Sequence, residues 1–251
     1  MLNSVTVTGM VIAALPVNEA DTRITLLTAE KGKIGAFAKG ARRPTSQLLS
    51  STQLFSFGTF VLNEGREAYS LVSANIRTAF ADVYGDLEAM YYGMYFCEFA
   101  AFMTRENVNA KKELNLLYAA LRALEKKKIS SDLIRSIYEL RFMTEDGTMP
   151  SVYQCVSCHE TSLLIHEKLE FSPRKGGVLC PDCHTEDAVP VSRSAVYAMQ
   201  YIVSSPMEKL FAFSVVEYVE EELRRVCAAF LDTTVGHHMK SEKMLEMIRN
   251  M

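Results

Sequence analysis

Apolar positions in the first eighty residues fall into five short runs rich in β-branched and aromatic residues. Ser4 to Leu15 is rich in Val, Thr and Ile and stops at Pro16. Thr22 to Thr28 carries Ile24, Leu26 and Leu27, and Ile34 to Ala38 lies between Gly32 and Gly40. Leu54 to Leu62 holds Phe55, Phe57, Phe60 and Val61, and Ala68 to Ser73 closes the series. Such runs, separated by Gly, Pro and Asn, read as strands of a small sandwich or barrel. Five strands in about 75 residues match the size of an OB-fold barrel.

After about Ile76 the spacing becomes helical. Asp86 to Arg105 is apolar on nearly every face, through Met90, Tyr91, Met94, Phe96, Cys97 and Phe99. A helix of that kind belongs at the centre of a bundle. Lys111 to Lys128 puts Leu114, Leu117, Tyr118, Leu121 and Leu124 on one face, and Asp132 to Thr144 repeats the pattern with Leu133, Ile137 and Leu140. Met149-Pro150 interrupts it, and residues 153–186 show little periodicity. Helical spacing resumes from Ser192, continues from Ser214 through Leu231, and ends with a short helix over Lys240 to Ile248. The expected fold is therefore α+β. An N-terminal five-stranded OB-fold barrel spans residues 1–78. A helical domain spans 79–152 and 187–251, and a cysteine-bearing insertion spans 153–186.

Composition narrows the class. Of 251 residues, 49% are hydrophobic and 23% charged, with a net charge of −3. That balance excludes a disordered chain, and 12 Gly with 7 Pro exclude a collagen-like one. The longest apolar stretch, Met90 to Met103, is broken by Glu98 and falls short of the ~18 residues of a membrane span. Met1 to Gly9 has neither a basic nor an apolar leader segment, so a cytoplasmic location is expected. In such a compartment six cysteines need a role other than disulfide bonding.

Four of them supply one. Cys155-Val156-Ser157-Cys158 is followed, after twenty-one residues, by Cys180-Pro181-Asp182-Cys183. A two-residue spacer lets both thiolates of a knuckle reach one ion, and two knuckles complete a tetrahedron. A closed Cys₄ shell makes the expected Zn²⁺, one per chain, structural. His159 and His184 each follow a knuckle and read as neighbours of a filled shell. His166-Glu167 and Leu179 before Cys180 depart from the deaminase signature. Cys97 and Cys227 lie in apolar helical patterns and read as small buried residues.

Charge is uneven. Residues 1–80 hold eight Lys/Arg against five Asp/Glu, a net +3 that leaves −6 for the rest. Lys31, Lys33, Lys39, Arg42 and Arg43 fall within thirteen residues that contain no acid. A loop at a barrel rim carrying such residues can contact phosphates without reading sequence. Phe37, Phe55 and Phe57 are near it in sequence; they either stack on bases or fill the barrel core, and the core is the favoured place. Gly32-Lys33 lacks the glycine spacing of a phosphate-binding nucleotide loop and is followed by Ile34, so no nucleotide-driven motor is expected.

Gly9-Met10-Val11-Ile12, Asn18-Glu19-Ala20-Asp21, Leu26-Leu27-Thr28, Gly32-Lys33 and Lys39-Gly40-Ala41-Arg42-Arg43-Pro44 resemble the opening domain of the RecO family of bacterial recombination mediators. Leu54-Phe55-Ser56-Phe57, the double knuckle and the tail Gly236-His237-His238-Met239-Lys240-Ser241 extend the resemblance over nearly the whole chain. It implies a non-enzymatic DNA-repair protein that binds single- and double-stranded DNA and anneals complementary strands. It further implies partnership with RecR and with the acidic C-terminal tail of single-stranded-DNA-binding protein, helping RecA to load. By motif match, Lys39, Arg42 and Arg43 become DNA contacts, with Lys33 as a fourth, and Cys155, Cys158, Cys180 and Cys183 become zinc ligands. Some family members lack the cysteines, so the metal would support the fold. The acidic cluster Glu217, Glu220, Glu221 and Glu222 speaks against extended DNA contact over the helical domain. The alternative is a zinc-stabilised interaction scaffold that does not touch DNA.

Overall fold

The computed structural model describes residues 3–66 and 68–249. Met1 and Leu2, part of the segment read for a leader, lie outside these, as do Glu67, Asn250 and Met251. The chain runs β1 (Ser4–Pro16), β2 (Thr22–Thr28), β3 (Gly32–Ala38), β4 (Phe57–Asn63), β5 (Tyr69–Thr78), α1 (Ala81–Tyr84), α2 (Leu87–Met103), α3 (Lys111–Lys126) and α4 (Ser131–Glu145). It continues with β6 (Lys168–Ser172), β7 (Gly177–Leu179), β8 (Val189–Ser192), α5 (Arg193–Ser204), α6 (Glu217–Thr234) and α7 (Glu242–Arg249). The molecule is thus mixed α+β, a five-stranded sheet followed by helices. It divides into two compact units, Met1–Glu125 with Met239–Met251, and Lys126–His238.

In the first unit the strands hydrogen-bond in the order β1-β2-β3-β5-β4, and β4 returns to β1, closing the sheet into a barrel. β1 is long enough to serve two neighbours. Ser4 to Met10 pair with β4 and Gly9 to Pro16 with β2, and a bulge between Val11 and Ala13 interrupts the pairing with β2. Alternation then decides which side chains fill the interior: Val7, Val11, Ile24, Leu26, Ile34, Phe60 and Leu62 are buried together. The fourth strand begins at Phe57, three residues later than the pattern predicts. Phe55 takes a left-handed φ of 66° and donates its N–H to the Val11 carbonyl at 2.8 Å, which turns the chain. Its ring is fully buried, 5.5 Å from that of Tyr84. The fifth strand continues to Thr78, past the predicted end at Ser73, because Ala74, Asn75 and Ile76 still find partners on β4.

The β2–β3 turn is strapped to the loop after α2. Lys33 N–H donates to Arg105 O, Asn107 N–H to Lys31 O and Ala110 N–H to Ala29 O, at 2.9–3.3 Å. Gly32 makes this approach possible. Its φ is +64°, and a Cβ there would sit 2.1 Å from the Arg105 carbonyl oxygen. α2 is capped by Asp86, whose carboxylate accepts from Ala89 N–H at 2.8 Å, and it buries Tyr92, Tyr95, Phe96, Cys97 and Phe99. Its largely apolar sequence packs against β1, α1 and α7, while Met90, Tyr91, Met94 and Glu98 are half-buried and Phe102 is exposed.

In the second unit α4, α5 and α6 pack on one another. Ser130 and Ser192 cap α4 and α5 by accepting from Leu133 and Ala195. Cys227 is buried on α6, with its thiol 3.7 Å from the Ser136 carbonyl. The segment that lacked periodicity, residues 153–186, holds β6 and β7, and β8, just beyond it, completes a three-stranded sheet in the order β7-β6-β8. Its strands of three to five residues are too short for alternation to register.

Candidate nucleic-acid interface and candidate metal centre

The basic segment leaves β3 and folds back over the β1–β2 turn. That turn is built by Asn18, whose side-chain oxygen accepts from the N–H groups of Ala20 and Asp21. The Asp21 carboxylate in turn accepts from Gly40 N–H at 2.7 Å, where Gly40 has a left-handed φ of 66°. The Asp21 carboxyl is held below the ordinary carboxylate range, first by that backbone N–H, then by the Asn18 side chain, with Lys39 and Arg43 adding to the effect. Arg42 N–H donates to Ala20 O at 2.9 Å, and its guanidinium reaches Asn18 O at 2.8 Å. Ala41 between them is buried completely. The loop backbone is therefore pinned, while Lys39, Arg42 and Arg43 stand exposed at the rim.

The remaining two bases of the segment are spent within the fold. The Lys33 ammonium donates to the Ala101 carbonyl in the last turn of α2, where the helix dipole favours a cation. Lys31 pairs with Glu64 at 3.3 Å. Among the described residues, Lys39, Arg42 and Arg43 make no comparable ion pair.

The phenylalanines divide. Phe55 is buried, and Phe57 is half-buried with its ring 4.8 Å from that of Tyr118. Phe37 departs from the core assignment: it is 36% exposed on the outside of the barrel. The cause is parity, since Ile34, Ala36 and Ala38 face inward and leave Gly35 and Phe37 outside. Arg23, outside the acid-free window, is brought directly opposite Phe37 by the β2–β3 register. Alternation in Thr22–Thr28 is the signal for its outward position.

The four knuckle cysteines converge: their sulfurs all lie within 4.8 Å of one another. The small sheet and its flanking turns bring this about. Ser151 N–H donates to Gly176 O, Val178 N–H to Ser151 O and Val156 N–H to Val178 O, at 2.8–2.9 Å, which lays the first knuckle along β7. β7 then leads straight into Cys180. Cys158 Sγ is 3.5 Å from Cys180 Sγ, close to the ~3.8 Å edge of a tetrahedron with ~2.3 Å metal–sulfur bonds. His184 turns to Glu170, with Nδ1 2.7 Å from the carboxylate, and among the described residues no histidine joins the sulfur cluster.

The electrostatics fit a cation at the centre. Burial works against the Cys155 thiolate, yet backbone N–H groups of Cys158, Cys180 and Ser157 donate to its sulfur and bring its thiol down to about 6. Cys183 moves oppositely, pushed up to about 12, first by its hydrogen bond with Cys180, then by burial and by the charge of Cys155. Burial also raises Cys180. One thiolate forms readily and opposes the others, a conflict that a divalent ion removes. The four cysteines can therefore hold a metal ion. No helix among the described residues is long and apolar enough to cross a membrane.

A closed barrel with a cationic rim, followed by helices and a cysteine cluster, defines a class: small β-barrel proteins extended by a helical, cysteine-knuckle unit. Comparison with known proteins is more specific. Residues 1–80 match the family described as "Recombination protein O N terminal" and residues 84–243 match "Recombination protein O C terminal". The chain is 35% identical over 232 residues to the DNA repair protein RecO of Acetivibrio thermocellus, covering 92% of this chain and 91% of that one. It is 31% identical over 225 residues to the RecO of Alkaliphilus metalliredigens, covering 89% and 90%. It is also 31% identical over 246 residues to that of Desulforudis audaxviator, covering 97% and 95%. The chain belongs to the RecO family of DNA repair proteins.

Proposed function

We propose that this protein is a non-enzymatic recombination mediator whose barrel is an OB-fold that binds DNA. In this reading it anneals complementary strands and works with RecR and single-stranded-DNA-binding protein in the loading of RecA. The exposed set Lys39, Arg42 and Arg43 on a pinned loop carries the reading. Exposed cations without a carboxylate partner release counterions when they meet phosphates, and that release gives affinity without sequence preference. Lys33, half-buried and bonded to the Ala101 carbonyl, is a weaker contact. Two strands held on one scaffold meet at high effective concentration, so pairing is hastened with no covalent step. An apolar groove of about 510 Å³ between Tyr197, Tyr201, Phe213 and Val216, with Arg193 at its edge, offers apolar walls and one cation to the acidic tail of single-stranded-DNA-binding protein.

In this reading Cys155, Cys158, Cys180 and Cys183 hold one Zn²⁺. Bound there, the ion would neutralise the thiolates and tie the two knuckles. A filled sulfur shell leaves it no site for substrate, so its part is structural.

Titration of single-stranded DNA at several salt concentrations, alongside a strand-annealing assay with and without RecR, tests the reading. Affinity falling steeply with salt is the expected result. Retained partner binding with no DNA binding at low salt would sink it and favour the interaction scaffold.

A further inference from the structure

We propose that Phe37 and Arg23 form a seat for one unpaired base on the outer face of the barrel, giving the basic rim a preference for single strands; this rests on the DNA-binding reading above. Phe37 lies one residue before Ala38, after which the chain enters the basic loop. Its ring stands outside a barrel whose other β3 apolar residues, Ile34, Ala36 and Ala38, are buried. Arg23 is its cross-strand partner, with the guanidinium carbon 5.9 Å from the ring centroid. Among the described residues the guanidinium meets no carboxylate, so its charge remains available to a ligand.

The surroundings leave room. Gly35 shares the outer face with Phe37, and a side chain there would meet only the tip of Arg23, at 4.0 Å. On the other side Phe37 pairs with Ser70 of β5, a small polar neighbour. An aromatic ring flanked by glycine, serine and a planar cation is a shallow platform about one base wide. Stacking on it asks only for a π-face, which every base has once it leaves a duplex, while the guanidinium can lie against the base or reach the adjoining phosphate. A paired base offers no free face, so duplex DNA would meet the rim cations and bypass the platform. Strand annealing benefits: a base released from the platform is free to pair, and the duplex so formed has one hold fewer on the protein.

The chain contains no tryptophan, so Phe37→Trp creates a single emitter on the platform. Single-stranded oligothymidine should quench its emission strongly, whereas a duplex of equal length should leave it nearly unchanged. Tyr218→Trp, at an exposed position in the other unit, serves as the control and should respond to neither. Phe37→Leu, which keeps an apolar side chain without a ring, should lower single-strand affinity roughly ten-fold at fixed salt, as removal of one stacked base does. It should leave duplex affinity and the salt slope intact, since every phosphate partner remains in place. Unchanged single-strand affinity in Phe37→Leu, or equal quenching of the introduced indole by duplex, would overturn the platform while leaving the rim cations standing. Failure of the unsubstituted protein to bind DNA at low salt would remove both.

Discussion

The cysteine cluster and the basic rim solve opposite problems. At the cluster, backbone hydrogen bonds lay one knuckle along a strand so that four side chains converge within 4.8 Å. At the rim, backbone hydrogen bonds from Gly40 and Arg42 fix the loop, yet the side chains of Lys39 and Arg43 spread into solvent. A small hard target such as an ion needs donors fixed at one distance from one point. A flexible polyanion needs charges at roughly regular intervals, free to adjust. In the proposed reading each region is rigid where its ligand is rigid. The two should therefore respond differently to substitution: the cluster through stability, the rim through affinity and its dependence on salt.

The largest effect should come from the cluster. Cys180→Ser removes one of the two buried cysteines of the four-sulfur cluster, and metal binding is coupled to folding in such modules. Metal content should fall from about one zinc per chain to near zero, and the second unit should lose at least ~4 kcal/mol in calorimetric melting. DNA affinity should change little by comparison. Protein purified without chelator and found free of metal would break the contrast at once.

Gly32→Ala comes next and probes the strapped turn at the end of β3 opposite the basic loop. The new Cβ would collide with the Arg105 carbonyl in a left-handed backbone region. A loss of about 3 kcal/mol in denaturant unfolding is expected, with the midpoint moved and the slope kept. A neutral outcome would mean that the β2–β3 turn is not held by the loop after α2.

Arg42→Ala combined with Arg43→Ala should do the reverse of these two. Stability should stay within ~0.5 kcal/mol, as for exposed positions. The dependence of single-strand affinity on salt should become shallower by ~1.4, or ~0.7 for each phosphate left without its cation. An unaltered slope would take both arginines out of the interface.

The smallest effect concerns Asp21. Its carboxyl titrates below the ordinary value because Gly40 N–H and Asn18 stabilise the charged form. A carboxyl lowered by folding contributes stability that is complete above the unfolded value near 3.8 and is lost as the pH falls through the lower folded one. The protection factor of Gly40 N–H, its exchange relative to a free amide at the same pH, should thus hold at neutral pH and fall only in acid. Asp21→Asn should remove that acid dependence; if the transition persists, another group pins the loop.

Much was legible in the chain because it depends on local rules. Runs of β-branched residues between turn formers mark the five strands, a long, mostly apolar stretch marks α2, and two-residue spacers mark the knuckles. The spacing of Lys39, Arg42 and Arg43 around Gly40 and Pro44 likewise announces an exposed loop. Each of these signals sits within a short stretch of chain, over which the geometry of helix, strand or turn leaves few choices.

Tertiary structure decided what depends on residues far apart. Lys33 and Lys39 read alike in sequence, but only Lys33 lies beneath the end of α2, where a carbonyl claims it. Phe55 and Phe37 are equally apolar; a backbone reversal buries one against Tyr84, and strand parity leaves the other outside with Arg23 across the sheet. The sheet β7-β6-β8 has strands too short to show a period, so its existence rests on pairing partners well separated along the chain, such as Lys168 and Ser192. Local sequence specifies which conformations a segment prefers; only burial and hydrogen bonding against distant neighbours select which of its side chains are consumed by the fold and which remain free to meet a ligand.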